Sequence, residues 1–325
     1  MTRRGQTGAG PAGRSAGFVL VNALILVAAL SAVALFMLAR AEGARAHALA
    51  GQQSAQLGLY LSAFEALAIT TLQADPPGAV DHLGEAWARS DYDVTLDRGR
   101  VSGQITDLQG LFNLNWLANP DDTLAQNSFD LLAARIGLSP QAGDAIRAFL
   151  RPGGPQGAAA LAYGRTDPAV APVGGAMVMM DQLAVVPGLE RAVLIRLAEV
   201  AAVLPGDSAL NINTAPAPVL ASLFPTVTAV RLDQLIQVRR TRPFASVAAF
   251  LAAAGLETSK TGEDNAQDAT DPGQISQDRL SVGSDWFGVR IRAGLDGAEA
   301  RRTAVLHRRP MPLGVRVAWR VSRYD

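Results

Sequence analysis

Side chains able to do chemistry are few in this chain and mostly scattered. Glu263, Asp264, Asp268 and Asp271 stand together in the polar segment GEDNAQDATDPG at residues 262–273. Clustered oxygen donors of this kind can hold calcium, but their spacing does not follow the EF-hand pattern. A solvated loop is the simpler reading, and calcium is the alternative; no other cofactor is required. Arg231, Arg239, Arg240 and Arg242 form a second cluster, suited either to phosphates or to an ion-paired surface. His47, His82 and His307 lie far apart and in no zinc-ligand spacing. Cysteine is absent, which removes disulfides, thiolate metal sites and thiol nucleophiles, and Lys260 is the only lysine. There is no G-x-S-x-G, H-E-x-x-H, Walker loop or G-x-G-x-x-G between a strand and a helix. These residues predict a protein that is not an enzyme.

The elements that carry them are better defined. The 325 residues are 49% apolar and 18% charged, enough for a sizeable core, and 29 basic residues balance 29 acidic ones. A surface built throughout to attract nucleic acid is therefore excluded. Residues 1–17 are glycine-rich and carry Arg3, Arg4 and Arg14 without an acid, and residues 18–39 carry no charge at all. A helix rising about 1.5 Å per residue crosses a hydrocarbon layer of ~30 Å over such a run. A secretory signal is disfavoured, because the nearest small-residue cleavage site, Ala48-Leu49-Ala50, lies well past the apolar core. Helical spacing continues through Leu57, Leu61, Phe64, Leu67 or Ala68, and Leu72, one apolar stripe. It stops at Asp75-Pro76-Pro77-Gly78, which predicts one helix of about 80 Å from Phe18 to about Gln73.

A basic leader ending at Gly17, then Phe18 and a two-part helix, resembles the type IV pilin superfamily. The resemblance implies cleavage between Gly17 and Phe18 by a prepilin peptidase and methylation of Phe18. Most members carry glutamate at the fifth mature position, where this chain has Asn22. That departure, the length of the chain, and Asp107-Leu108-Gln109-Gly110-Leu111-Phe112-Asn113-Leu114-Asn115 are similar to the K minor pseudopilins of type II secretion systems. The resemblance implies the I and J minor pseudopilins, the major pseudopilin and the prepilin peptidase as partners, with secreted proteins as further candidates. It also implies an inner-membrane protein of one span, its amino terminus cytoplasmic and its carboxy-terminal domain periplasmic. The position of the three leader arginines agrees with that orientation.

The fold class expected is α+β: a long transmembrane and amphipathic helix on an antiparallel pilin-like sheet, with inserted all-α modules of SAM-like or helix-hairpin-helix type. The leader occupies 1–17, the membrane part of the helix 18–39 and its periplasmic half 40–75. Sheet strands follow in 76–106, a first helical module in 107–205 and a second in 206–256. The remaining strands fill 257–325. The second module is expected to repeat the first from Leu210-Asn211-Ile212-Asn213-Thr214-Ala215, with Asn213 and Thr214 placed to cap a helix and Pro216 in its first turn. Helices are expected at 124–151, broken at Gly137-Leu138-Ser139-Pro140, and at 179–186, 189–203, 219–223, 230–239 and 247–254. Arg301, Arg302, Arg308, Arg309, Arg316, Arg320 and Arg323 are expected on outward strand positions. The second module also resembles helix-hairpin-helix DNA-binding domains, which makes a membrane-anchored DNA-uptake protein the alternative function. Against it, the hairpin at 224–229 has no glycine, and Pro225 offers no N–H to a phosphate.

Overall fold

The computed structural model describes residues 15–75, 80–89, 92–166, 168–256, 277–310 and 312–324. Its chain divides into two compact units, Met1–Gly58 and Leu59–Asp325. Helix α1, Ser15–Ala74, begins in the first and ends in the second. Within the first unit, every side chain from residue 18 to 52 is exposed, and over residues 18–39 that surface is uncharged and mostly apolar, as one meant for lipid or other helices would be. In the second, Leu61, Phe64, Ala68 and Leu72 are buried and Leu67 is not. The stripe therefore runs through Ala68, the i+4 neighbour of Phe64.

The sheet is formed by β1 (Tyr92–Leu96) and β2 (Gly99–Asp107) with three strands from the far end of the chain. Between them come β3 (Phe112–Asn113), α2 (Thr123–Arg135), α3 (Pro140–Leu150), α4 (Ala158–Tyr163), α5 (Arg191–Leu197) and β4 (Ala201–Ala202). Next are β5 (Leu210–Asn211), α6 (Ala217–Leu223), α7 (Ala229–Thr241), α8 (Val247–Ala254) and β6 (Leu280–Ser281). The chain closes with β7 (Trp286–Leu295), β8 (Ala298–Arg309) and β9 (Gly314–Tyr324). The large sheet has the order β1-β2-β7-β8-β9 and is antiparallel throughout. Among the described residues, all the α-helices after α1 are thus inserted between two adjacent strands, β2 and β7.

The end of α1 lies on this sheet. Phe64 packs edge-on against Tyr92 at 5.9 Å between ring centres, and a Cβ at Gly103 would fall 2.5 Å from the Phe64 ring. Glycine at 103 is what lets the helix approach. On β7, Phe287, Val289, Ile291, Ala293 and Leu295 face the core, and Arg290 and Arg292 face out.

Two arginines depart from the outward placement expected of them. Arg302 and Arg308 are buried on β8, on the side that also buries Ala300, Ala304 and Leu306. Arg302 donates to Glu65 (3.3 Å) and to the hydroxyls of Ser62 and Ser322, while Arg320 donates to the other Glu65 oxygen at 2.6 Å. The helix thus supplies the counter-charge that lets an arginine sit inside the sheet. Glu65→Ala is expected to lower stability by about 3–5 kcal/mol, the usual consequence of stranding a buried charge. Glu65→Met combined with Arg302→Met should recover most of it. Thermal unfolding of the three full-length proteins in detergent checks this, and a mild Glu65→Ala would contradict it.

The helical region has its own core, in which Phe112, Phe129, Ile146, Leu183, Leu197, Ile212, Leu220 and Phe250 are fully buried. Asp122, Ser139, Thr228 and Ser246 cap α2, α3, α7 and α8 by accepting a backbone N–H. Two expectations need correction. Residues 179–186 form a 3-10 turn, Met180–Val185, and the helix expected over 189–203 stops at Leu197. Its last residues become β4, which pairs in parallel with β3.

Candidate functional site

The first site is the amino-terminal end of α1. Among the described residues, Phe18–Ala74 contains the one helix long and apolar enough to cross a membrane. Helix α1 starts at Ser15, so the Gly17–Phe18 bond lies in its first turn. Phe18 is 70% exposed and Asn22 is exposed one turn further on. No side chain from Phe18 to Ala39 carries a charge; the next are Arg40, Glu42 and Arg45. Asn22 therefore offers a neutral amide at the one polar position near the start of the apolar run, able to hydrogen-bond but not to cancel a positive charge.

The second site is a buried polar junction where the inserted region leaves and rejoins the sheet. Asp107, the last residue of β2, accepts at one oxygen from Thr214 (2.5 Å), Ser284 (2.7 Å) and Asn211 (3.1 Å). Its other oxygen accepts the Gln109 N–H at 2.8 Å. Burial pushes the Asp107 carboxyl above the ordinary range, and the Thr214, Ser284, Gln109 and Asn211 donors hold it back. A Cβ at Gly110 would meet the Thr214 hydroxyl at 2.5 Å, which is why the motif needs glycine there. Gln109 completes the joint, donating to the Ala209 carbonyl (2.8 Å) and accepting the Asp285 N–H (2.5 Å). Below it, Arg308 donates to Asp75 and Asp81, and Asp81 also accepts the Ser284 N–H. Burial drives the Asp81 carboxyl up to about 7 against the opposing pull of Arg308.

The two N-x-N motifs do equivalent work, which supports an internal repeat. Asn113 accepts the Asn115 N–H, and Asn211 accepts the Asn213 N–H. Asn115 then pairs with both backbone groups of Met177, and Asn213 with both backbone groups of Phe244. Asn213 and Thr214 are therefore not helix caps: the residue at the start of α6 is Pro216, with no side-chain cap. Each motif's entry strand also forms a two-residue parallel bridge with a strand at the module's exit, β3 with β4 and β5 with β6.

This framework removes part of the DNA-clamp reading. Arg239 is only 5% exposed and donates to the carbonyls of Ile212 and Ala215, bracing the second N-x-N turn. Burial lowers its pKa to about 10. Arg231 is exposed but turned back onto the Ala253 carbonyl and Gln234. Arg239→Ala is expected to reduce stability by about 1–3 kcal/mol, the cost of leaving two carbonyls unpaired. No salt-dependent DNA binding is expected from the full-length protein, with or without the substitution. A gel-shift and melting comparison checks both, and affinity that falls with salt and with Arg239→Ala would revive the clamp. The four calcium candidates, Glu263, Asp264, Asp268 and Asp271, lie outside the described residues.

Family models described as "Type II secretion system (T2SS), protein K" match residues 110–206 and 210–271. Type II secretion system protein K of Aeromonas hydrophila is 30% identical over 262 residues, covering 72% of this chain and 74% of that protein. The Klebsiella pneumoniae protein of that name is 28% identical over 322 residues, 93% of this chain and 95% of its own length. The Pseudomonas aeruginosa protein is 29% identical over 267 residues, 76% and 79% of the two chains. A chain in the crystal structure of the GspK–GspI–GspJ complex of enterotoxigenic Escherichia coli superposes with a TM-score of 0.67 at 22% identity. It covers 85% of this chain and 99% of that one, which establishes the shared fold. On these relatives, and on a long apolar helix, a pilin-like sheet and inserted helical modules, the chain belongs to the type II secretion system protein K family.

Proposed function

We propose that this chain is the minor pseudopilin that starts a type II pseudopilus and stays at its tip, anchored in the inner membrane until it assembles. The observation that carries the reading is Asn22: the apolar run of α1 contains no carboxylate. A subunit added beneath another must neutralise the buried amine of the one above, since an unpaired charge in lipid is costly. Asn22 cannot do so in a low-dielectric setting. The chain's own Phe18 amine, once freed, remains available to the carboxylate of the subunit below. It can begin a fibre and not extend one.

Bulk supports the same position. Everything from β3 to β6 is inserted between two neighbouring strands, so a regular helical stack would have to accommodate an extra helical body at every step. On this reading the prepilin peptidase cleaves after Gly17 and methylates Phe18. The leader with Arg3, Arg4 and Arg14 is cytoplasmic and the sheet with its modules periplasmic. The I and J minor pseudopilins are the immediate neighbours, by analogy with the GspK–GspI–GspJ assembly, and the major pseudopilin continues the fibre. Secreted proteins, or the outer-membrane channel, are what the exposed modules would meet.

Site-directed crosslinking tests the placement. A photo-crosslinker at position 22 should capture no subunit above this one, and the protein should occur once per fibre, at an end. Asn22→Glu should change assembly little, because the position above is also closed sterically. Even spacing of the protein along fibres would overturn the assignment.

A further inference from the structure

Three carboxylates converge at the foot of α1. One oxygen each of Asp75, Asp81 and Glu85 lies within 4.8 Å of the others. Among the described residues, each is held through one oxygen. Asp75 Oδ2 accepts from Arg308 at 2.6 Å, and Asp81 Oδ2 accepts from Arg308 and, at 2.7 Å, from the Ser284 N–H. Glu85 Oε2 accepts from the Trp87 indole at 2.6 Å and from the His82 N–H at 3.0 Å. Of the opposite oxygens, that of Asp81 is the informative one. Asp81 is fully buried, and its Oδ1 has no hydrogen-bond donor among the described residues. An enclosed carboxylate oxygen without a donor is costly and calls for a partner.

Charge points to the partner's sign. Among the described residues Arg308 is the one cation paired with Asp75 and Asp81, so a cluster of three carboxylates has one guanidinium. The donors are all carboxylate oxygens, which suits a hard cation, and the partial exposure of Asp75 and Glu85 leaves room for water ligands. We propose that Asp75, Asp81 and Glu85 form a binding site for a divalent cation of the calcium type, distinct from the acidic segment at 262–273. The cation takes one oxygen of each residue, Oδ1 in the case of Asp81, and completes its shell with water. Its effect is to tie the end of α1 to the segment that seats Trp87 against Phe287, whose rings meet edge-on at 5.2 Å. Carboxylates from the helix, from that connection and from below the Asp107 junction would thus be locked by one ion.

Trp87 makes the site measurable, because its indole is hydrogen-bonded to a proposed ligand and can sensitise terbium emission. The test uses full-length protein in detergent, with Glu263, Asp264, Asp268 and Asp271 changed to their amides so that the loop contributes nothing. Calcium retention by equilibrium dialysis and tryptophan-excited terbium emission, displaced by calcium, are the two readouts. Both are expected in that background. Asp75→Asn and Glu85→Gln, chosen because neither residue is fully buried, should each weaken calcium binding on the order of ten- to a hundredfold. Trp87→Phe should abolish most of the emission and leave calcium retention in place. No calcium retained at millimolar concentration would overturn the proposal, as would binding unchanged in both Asp75→Asn and Glu85→Gln.

Discussion

Asp107→Ala is expected to cost about 3–5 kcal/mol, a large share of the ~5–15 kcal/mol that holds a typical domain together. The side chain is buried and accepts from Thr214, Ser284, Asn211 and the Gln109 N–H at once. Alanine leaves these donors facing a cavity. The Ser284 hydroxyl donates only to Asp107 among the described residues, and the Gln109 N–H likewise. Asparagine is an incomplete rescue. Its amide nitrogen must face either the Gln109 N–H or the Asn211 amide, and neither can turn round to accept. Asp107→Asn should therefore lose about 1–3 kcal/mol. It should also change the pH dependence in a defined direction. The folded carboxyl titrates above its ordinary 3.8, so its contribution is full below that value and falls as pH rises through the raised one. The amide has no proton to lose, and its stability should fall less over the same pH interval. Urea unfolding of wild type and both variants across acidic to neutral pH checks the set. Equal losses for Ala and Asn with parallel pH profiles would mean the site depends on volume, not on its acceptors.

The same junction shows where sequence reading stops. The apolar stripe of α1, the strands of the large sheet and most of the helices were legible because each is written in residues close together along the chain; α4 and the two short parallel pairs were not. The repeat was legible through its two N-x-N motifs. What those asparagines do was not, because Asn115 reads the backbone of a residue 62 positions away and Asn213 one 31 positions away. The longer reach of the first copy is where its insertion lies. Asp81 gave no local signal at all, since its partners Ser284 and Arg308 are 203 and 227 residues distant. Arg302 and Arg308 did leave one. They share strand parity with Ala300, Ala304 and Leu306, which alternation assigns to the buried face. A preference for keeping arginine in water hid it, and the acids that reverse that preference stand on other elements. The long apolar helix was the easiest reading, since an uncharged run needs no tertiary partner to be recognised.

On the proposed processing, Gly17→Leu is expected to leave the leader attached to essentially all of the protein and to abolish most of the secretion that depends on it. The Gly17–Phe18 bond lies in the first turn of α1, where the leading N–H groups lack intrahelical acceptors and local opening costs least. Glycine weakens that turn further, by about 1 kcal/mol relative to a good helix former such as leucine. On the proposed processing, a peptidase would have to draw this segment out of the helix to reach the peptide bond, and leucine would both stiffen the turn and put a branched side chain beside the scissile carbonyl. The membrane run itself is untouched, and the variant should still fractionate with membranes at normal abundance. Its defect would be electrostatic. With the leader retained, Phe18 has no free amine, and nothing remains to pair with the carboxylate of the next subunit. Asn22 offers no substitute, being neutral. Intact-mass measurement should find wild-type protein starting at methylated Phe18 and the variant starting at its leader. A mature start at Gly51 would identify a secretory signal and remove the basis for a lipid-anchored, tip-initiating subunit. Normal secretion by an unprocessed Gly17→Leu protein would separate assembly from the freed amine and leave steric bulk as the surviving argument for the tip.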